Sequence, residues 1–331
     1  MTSASTWRDA EPEQFAAALL AAAEQLGVLP LAVEKDYWVC QALRATTAHP
    51  CEVVFKGGTS LEKLRIIRRF SEDLDLLVVG DYASNRAVER ALKSMVQAAA
   101  SALLSAPSGG RSGGRPGSFH RSAYLSPPMA HSAVPSAIAD ASAILIELGQ
   151  SGGPNPHETE RVESLLARQL NGAGFDTAAW SDLAALEVAI LHPGRTLIEK
   201  LLRINNFASE PGVQASIHGW SRIGRQFYDV WALLGRQNVL DLLADRPTTG
   251  EVLASCFEIS LAFVPDKPLP HGGFAACTAF NPDGPLAGRL RIEHEIAMRD
   301  LYYGTDEPPT FDEVLDRVHA SRALLDIEIA S

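Results

Sequence analysis

Hydrophobic and polar residues follow two spacings along the chain, one typical of strands and the other typical of helices. Short apolar or alternating runs predict strands at 51–58, 71–80, 119–126, 143–149 and 186–193. Longer runs with apolar residues three or four positions apart predict helices at 11–27, 33–47, 60–70, 84–104, 193–208, 222–236, 238–264 and 310–328. Because most strands lie in the first half of the chain and helices dominate the second half, the pattern predicts an α+β fold.

The length of the chain predicts more than one domain. At about 150 residues per domain, its 331 residues correspond to about two domains. We therefore expect a mixed α/β domain over residues 1–160 and a mostly helical domain over residues 161–331. Within the first domain, residues 107–117 are rich in Gly, Ser and Arg, which is typical of a mobile surface loop. No function follows from the sequence of that loop.

Composition excludes several classes of protein. Hydrophobic residues make up 46% of the chain, which is enough to bury a core and excludes wholesale disorder. No uncharged apolar run approaches the roughly 20 residues that span a membrane, and the first residues lack the pattern of a secretion signal. We therefore expect a cytoplasmic protein with no membrane partner. Four dispersed cysteines favour buried thiols over a zinc site or disulfides.

The distribution of charge limits the choice of partner. The chain has 40 Asp and Glu against 29 Lys and Arg, a formal net charge of −11, which argues against non-specific coating of nucleic acid. Residues 56–69 are an exception, with five Lys and Arg and one Glu. Arg65, Arg68 and Arg69 are spaced to share parts of one helical face. That face is either a solvated surface or a patch that contacts RNA or a triphosphate.

The segment 55–78 combines two features that point to chemistry. Gly57 and Gly58 follow a predicted strand and precede a predicted helix, where backbone N–H groups can approach a phosphate closely. Asp73 and Asp75 are two residues apart on the next strand and therefore share a face. Two adjacent carboxylates repel each other unless a cation lies between them, and their oxygens suit Mg²⁺ or Mn²⁺. The segment predicts metal-assisted transfer from a nucleoside triphosphate, unless the aspartates only form a solvated strand face.

These motifs also carry a family resemblance. GGTS (57–60) and SEDLDL (71–76) resemble the first motif of nucleotidyltransferases with a polymerase-β-like core. The chain as a whole is more closely similar to the AbiEii/AbiGii toxin family, which includes the mycobacterial MenT toxins. Further motifs that carry this resemblance are KDYWV (35–39), FKGGTSLEK (55–63), RFSEDLDL (69–76), EKL (199–201) and FYDVWALL (227–234).

The resemblance implies a role for each matching residue. It implies Mg²⁺ at Asp73 and Asp75, and a catalytic part for these aspartates together with Lys200 and Asp229. Members of the superfamily often add a third carboxylate from a later strand, and Glu147 is the candidate because an acid in an apolar strand needs a partner. The residues expected to bind the nucleotide are Lys56, Gly57, Gly58, Thr59, Ser60, Ser71 and Lys200.

Each of these residues also has a purely structural interpretation. Glu147 could pair with a buried cation, and Lys200 could be an exposed lysine with a solvated ammonium group. Asp229 could be a surface acid that pairs with Arg225 one helical turn earlier. Lys35 and Asp36 are expected to make local surface ion pairs, which contribute little to stability, and the alternative is a role at the site.

The function that the resemblance implies is an Mg²⁺-dependent nucleotidyltransferase that acts as the toxin of a toxin–antitoxin pair. Its acceptor would be RNA, with the 3′ end of tRNA as the first candidate, and the transfer would block translation. The expected partners are a nucleoside triphosphate, the RNA acceptor and a cognate antitoxin. Two alternatives stay open: transfer of a nucleotide to a protein hydroxyl, and binding of GTP or another triphosphate without turnover.

Overall fold

The computed structural model describes residues 5–71, 73–114, 118–132, 142–215, 219–264 and 268–329. It combines a mixed sheet with many helices, so the predicted α+β class is confirmed. Two compact units divide the chain. The first unit contains Met1–Arg65 and Phe70–Ile190, and the second contains Ile66–Arg69 and Leu191–Ser331. The main division therefore falls at residue 190, whereas the sequence suggested residue 160.

A seven-stranded sheet forms the centre of the first unit, in the order β3-β4-β5-β2-β1-β7-β6. Its strands are β1 (Val53–Lys56), β2 (Leu74–Val78), β3 (Ser112–Gly113), β4 (His120–Leu125), β5 (Ile144–Gly149), β6 (His157–Val162) and β7 (Leu186–Leu191). Strand β1 is antiparallel to β2 and parallel to β7, whereas β2 is parallel to β5. Strand β4 is antiparallel to both β5 and β3. The sheet is therefore mixed, with the glycine-containing β3 at one edge and β6 at the other.

Helices of the first unit pack on this sheet and on one another. They are α1 (Trp7–Ala10), α2 (Pro12–Leu26), α3 (Pro30–Thr47), α4 (Gly57–Lys63), α5 (Asn85–Ala102) and α6 (Leu165–Gly172). Helix α3 contacts α2, α5, α6 and β2, and every residue from Leu31 to Leu43 is buried. A helix that is buried on all sides must pair its charged residues within the protein. The apolar side of the sheet contributes Phe55, Leu76 and Ile146 to the same core.

The second unit is helical in its described residues. Its helices are α7 (Pro193–Ser209), α8 (Pro211–Gln214), α9 (Gly219–Leu233), α10 (Gln237–Ala244), α11 (Arg246–Phe263), α12 (Ala287–Leu301), α13 (Phe311–Ala320) and α14 (Arg322–Leu325). Helix α9 contacts α7, α12 and α13. Its Phe227 ring lies 5.5 Å from that of Phe280 and 5.1 Å from that of Phe311, in edge-to-face arrangements that suit a packed core.

Several elements differ from those predicted by the sequence pattern. The helix expected over 60–70 ends at Lys63, and residues 64–70 form turns and an isolated bridge between Arg69 and Tyr302. Strand β6 and helices α6 and α12 were not predicted, and the helix expected over 238–264 is divided into α10 and α11. The described part of the expected loop 107–117 contains the edge strand β3, whereas residues 115–117 lie outside the described residues.

Two expectations from composition concern membranes and cysteines. In the part of the chain that the structure describes, no single helix is both long and apolar enough to cross a membrane, although α2 and α3 pass that test as a pair bent by 115°. Cys40, Cys256 and Cys277 are buried thiols, as expected, and Cys51 is partly exposed.

Candidate active site

The turn between β1 and α4 brings the backbone against a carboxylate. Gly57 has a φ of 81°, a conformation that L-residues with a Cβ rarely adopt. A Cβ atom at Gly57 would overlap Oδ2 of Asp75. The position therefore requires glycine for two reasons, and the Gly57 backbone lies directly beside the Asp75 side chain.

Hydroxyl groups of the predicted motif hold this turn together. The Thr59 Oγ1 hydroxyl donates to the Asp73 carbonyl oxygen at 2.5 Å and lies 3.0 Å from Ser71 Oγ. The Ser60 hydroxyl donates to the Gly57 carbonyl oxygen at 2.9 Å. Both Thr59 and Ser60 are buried, so these hydrogen bonds tie their hydroxyls to the turn. The predicted role of the two residues in nucleotide binding stays a prediction.

Of the two predicted carboxylates, Asp75 lies within β2 and Asp73 directly precedes the strand. Leu74 and Leu76 are buried, whereas Asp73 and Asp75 are half-buried and alternate with them. Strand pairing places Lys56 of β1 and Glu147 of β5 opposite Asp75. Cross-strand partners share a face, so Lys56, Asp75 and Glu147 form one row across the sheet. The sequence motif and the strand register thus bring three predicted residues to the same side.

Glu147 is more exposed than its place in an apolar strand suggested. It is exposed, because β5 alternates between buried and open positions, so its carboxylate does not need a partner in the core. Within the described ranges, no group of three or more His, Cys, Asp or Glu side chains is arranged to hold a metal ion. The role of Glu147 as a third ligand stays a prediction. Asp73 and Asp75 are still a donor set of the kind that holds Mg²⁺ when substrate phosphates complete the coordination.

In the second unit, Lys200 and Asp229 are in direct contact. Lys200 Nζ, on α7, lies 2.6 Å from Asp229 Oδ2, on α9, and donates to Gln226 Oε1 at 2.9 Å. Arg69 donates from Nε and Nη2 to the two oxygens of Asp229, each at 2.6 Å. Asp229 is fully buried and Arg69 is 1% exposed. Asp229 therefore belongs to a buried cluster of one acid and two cations. It does not form the surface pair with Arg225 that was its structural alternative.

The two cations determine the charge state of Asp229. Burial raises the pKa of this carboxyl, but Arg69 and Lys200 outweigh burial, and the net pKa is lowered from its ordinary value of 3.8. The pKa of Arg69 is raised, since the attraction of Asp229 exceeds the effect of burial. Asp229 is therefore ionised at neutral pH and positions the Lys200 ammonium group.

The three arginines expected to share a helical face do not do so. The helix ends at Lys63, and Arg65 then has a φ of 57°. The side chains of Arg65 and Arg68 are 69% and 55% exposed, with Arg68 Nη1 2.6 Å from Asp306 Oδ1. Arg69 is buried in a two-oxygen ion pair with Asp229, so it does not share an exposed helical face with Arg65 and Arg68. Its contact with RNA or a triphosphate stays a prediction.

A second buried cluster was misjudged from the sequence. Asp36 pairs with Lys63, which also lies 3.0 Å from Glu62 Oε2, and Glu62 Oε1 accepts from Arg168 at 2.5 Å. Asp36 Oδ2 accepts from the Leu165 backbone N–H at 2.6 Å. Lys63 has a raised pKa, because its acidic neighbours outweigh burial. Residues 35–36 are buried, so the expected surface ion pairs were wrong. The unbroken burial of α3 is the signal that reveals this, and it is visible only in the fold.

Comparisons with known proteins bear on this arrangement. A sequence profile described as "Nucleotidyl transferase AbiEii toxin, Type IV TA system" matches residues 41–317. Among solved structures, the crystal structure of JHP933 from Helicobacter pylori is similar at 12% sequence identity and a TM-score of 0.35, with 88% of this chain and 97% of that chain covered. A search of curated proteins finds no match.

Proposed function

The chain belongs to the AbiEii family of nucleotidyl transferase toxins of type IV toxin–antitoxin systems, and on that premise we propose that it transfers nucleotides from a nucleoside triphosphate to RNA. The first candidate for the acceptor is the 3′ end of tRNA. Nucleotides added at that end would prevent aminoacylation and so block translation. A cognate antitoxin is the expected protein partner.

One observation carries this proposal, namely the contact between the Gly57 backbone and the Asp75 carboxylate. A triphosphate bound at residues 57–58 would lie beside Asp75, and both groups are negatively charged. Such neighbours require a cation between them. Turns that serve only to reverse the chain have no need for a carboxylate at this position, so the contact favours a site for a metal-bound triphosphate.

The residues present fit a divalent cation. Asp73 and Asp75 would hold Mg²⁺ or Mn²⁺, since Mg²⁺ is commonly bound by one or two carboxylates together with substrate phosphates. Bound there, the ion would offset the negative charge that develops on the triphosphate during transfer. The chain itself orients the phosphates through the backbone at residues 57–58. The hydrogen bond from Thr59 to the Asp73 carbonyl oxygen keeps the turn and the start of β2 in register.

Lys200 and Asp229 are proposed to act in the same reaction. The Lys200 ammonium group would stabilise negative charge on the leaving phosphates. Asp229 would act through Lys200, because its two oxygens hold Lys200 and Arg69 in place. A lysine held by a buried carboxylate has a defined position, which is what stabilisation of a transition state requires.

The test uses purified protein, total tRNA, Mg²⁺ and each of the four α-labelled nucleoside triphosphates in turn. The variant Asp73→Ala/Asp75→Ala is the active-site control, and Asp312→Ala removes an exposed aspartate from α13 as the matched control. We expect label in tRNA with the wild type and with Asp312→Ala, and none with the double variant.

Other outcomes have defined meanings. Label in protein bands instead of RNA would replace the RNA acceptor by a protein hydroxyl. Triphosphate binding without release of pyrophosphate would indicate a binding module. Label that persists in the double variant would contradict the assignment of Asp73 and Asp75.

A further inference from the structure

The chain between Glu89 and Asp140 has an unusual charge. It contains five Lys and Arg and no acidic residue between those two, in a protein whose net charge is −11. Its Gly- and Ser-rich part was expected to be only a mobile loop. The described residues of this part instead form the edge of the sheet, in β3 and β4.

Backbone hydrogen bonds attach the Gly-rich segment to β4. Ser108 and Tyr124 exchange two backbone hydrogen bonds of 2.9 Å, and the Ser122 N–H donates to the Arg111 carbonyl oxygen at 2.8 Å. A Cβ atom at Gly110 would overlap the Ser122 carbonyl oxygen. The glycine therefore has a specific purpose here, since it lets the segment lie close against β4 as an edge strand.

The exposed side of this edge continues the row that contains the predicted site residues. Ser122 is the cross-strand partner of Glu147, which is in turn the partner of Asp75. His120 and Tyr124 are two residues either side of Ser122, so they lie on the same face. Both are exposed, and Tyr124 retains 38% of its accessible surface.

The Tyr124 ring is held in place from one side. A Cβ at Gly109 would come within 3.2 Å of its Cδ2 atom, so the ring lies against the glycine backbone. Arg111 is exposed on the adjoining segment and hydrogen-bonds to Ser122, so it lies beside the same face. Arg121 lies on the other face of β4, where its Nη1 is 3.3 Å from Ser112 Oγ. The edge thus combines a positioned exposed aromatic ring with the guanidinium group of Arg111 and carries no carboxylate of its own.

We propose that this β3–β4 edge binds the single-stranded end of the RNA acceptor. Aromatic side chains on an open sheet face stack with unpaired bases, and arginines contact phosphates without reading the sequence. Charge complementarity favours RNA at this edge, whereas the acidic protein as a whole would repel it. The face leads across β5 to Asp75, so an RNA end on it would be directed toward the carboxylates. The assignment to an acceptor rests on the proposed function, whereas binding of RNA does not.

The test measures equilibrium binding of a fluorescent 12-nucleotide single-stranded RNA and of total tRNA, by anisotropy at several salt concentrations. The variants are Arg111→Ala, Tyr124→Ala and Tyr124→Phe, together with Arg121→Ala, which changes the other face of the same strand. The matched control is Arg161→Ala, which removes an arginine with a 71% exposed side chain from β6, at the opposite edge of the sheet.

For Arg111→Ala we expect the slope of log affinity against log salt to fall by about 0.7. Tyr124→Ala should weaken binding of the short RNA roughly tenfold, and Tyr124→Phe should keep wild-type affinity because it retains the ring. Arg121→Ala and Arg161→Ala should match the wild type. If nucleotide transfer occurs, the Arg111→Ala variant should raise KM for RNA and leave KM for the triphosphate unchanged.

Failure of this proposal is distinct from failure of the proposed function. If Arg111→Ala and Tyr124→Ala have the affinity and salt slope of Arg161→Ala, the proposal is overturned, whether or not the enzyme transfers nucleotides. Reduced RNA binding by Arg111→Ala would support it even if no transfer were detected. Thermal unfolding accompanies each variant, and if Tyr124→Ala proves unstable, the exposed Arg111→Ala substitution decides the matter.

Discussion

Replacement of Asp229 by asparagine should destabilise the second unit strongly. Asn has nearly the shape of Asp, so the change removes a charge without opening a cavity. Two buried cations, Arg69 and Lys200, would then lose their counter-charge. The effect of Asp229→Asn therefore measures the loss of the charge and of the hydrogen bonds to it, without a change in side-chain volume.

The size of the stability loss expected for Asp229→Asn depends on how deeply the three charged side chains are buried. The side chain of Asp229 is 0% exposed, and those of Arg69 and Lys200 are 1% and 9% exposed. Removal of one partner from a buried ion pair costs about 3–5 kcal/mol, because a charge stays buried without compensation. Here a single carboxylate serves two cations, so we expect a loss in the upper part of that range.

Urea unfolding, followed by circular dichroism at 222 nm, is the measurement. The control is Asp312→Asn, since Asp312 has a similar two-oxygen contact with Arg291 at 2.6 and 2.7 Å but on the surface. Solvent and salt screen such a pair, so its midpoint should not move measurably. A third variant, Asp229→Asn/Lys200→Met, removes one uncompensated cation and should recover part of the stability lost in Asp229→Asn.

Two results would refute this reasoning. Equal midpoints for Asp229→Asn and the wild type would mean that the carboxylate is not buried between two cations. The second result compares the double variant with Asp229→Asn and Lys200→Met measured singly. If the stability loss of the double variant equals the sum of the two single losses, Lys200 and Asp229 do not interact, since contacting residues deviate from additivity.

The pKa of the Asp229 carboxyl also predicts that the stability of the protein depends on pH. Burial raises the pKa of Asp229, but Arg69 and Lys200 outweigh it and hold the folded-state pKa below 3.8. The stabilisation from Asp229 is therefore complete well above pH 3.8 and is lost as the pH falls through the folded-state pKa. The stability difference between the wild type and Asp229→Asn should be constant from pH 6 to 7 and shrink below pH 3.8.

Three further changes test other parts of the structure. Gly57→Ala should reduce nucleotide transfer about tenfold or more, because a positive φ costs a residue with a Cβ roughly 1–2 kcal/mol and the methyl group meets Asp75; wild-type activity would contradict this. Asp36→Asn should lower stability to urea by an amount at the lower end of about 3–5 kcal/mol, since Lys63 loses one of its two buried carboxylate partners and keeps Glu62, and an unchanged midpoint would speak against the contact with Asp36. Glu147→Gln should raise the Mg²⁺ concentration for half-maximal transfer at least tenfold if the carboxylate is a third ligand, whereas an unchanged value would remove Glu147 from the ligand set.

Short-range patterns predicted the fold class and part of the candidate site. The alternation at 71–80 correctly predicted a strand that contains Asp75, with Asp73 directly before it, and Gly57 does begin a helix after a strand. These features depend on residues within a few positions of one another, so the sequence contains the information directly. Boundaries were less accurate, as at residues 64–70, where apolar and basic residues suit a helix that does not form.

The partners of buried charges could not be predicted in this way. Arg69 and Asp229 are 160 positions apart, and no periodicity links residues at that separation. In the local sequence, Arg69 is part of a basic run, and Asp229 is an acid one helical turn after an arginine. Only the tertiary fold shows that each charge is compensated by the other.

The Gly- and Arg-rich segment was misjudged for a related reason. Glycine and serine weaken a strand by their intrinsic preference, so a local pattern indicates a loop at 107–117. At the edge of a sheet, however, a glycine such as Gly110 allows an approach that a side chain would block. Edge pairing is a property of the neighbouring strand β4 as much as of the segment itself. A segment with weak strand preference can thus become ordered where it adjoins a strand with an open edge, and in doing so it positions Arg111 beside Ser122, in the row that leads to Glu147 and Asp75.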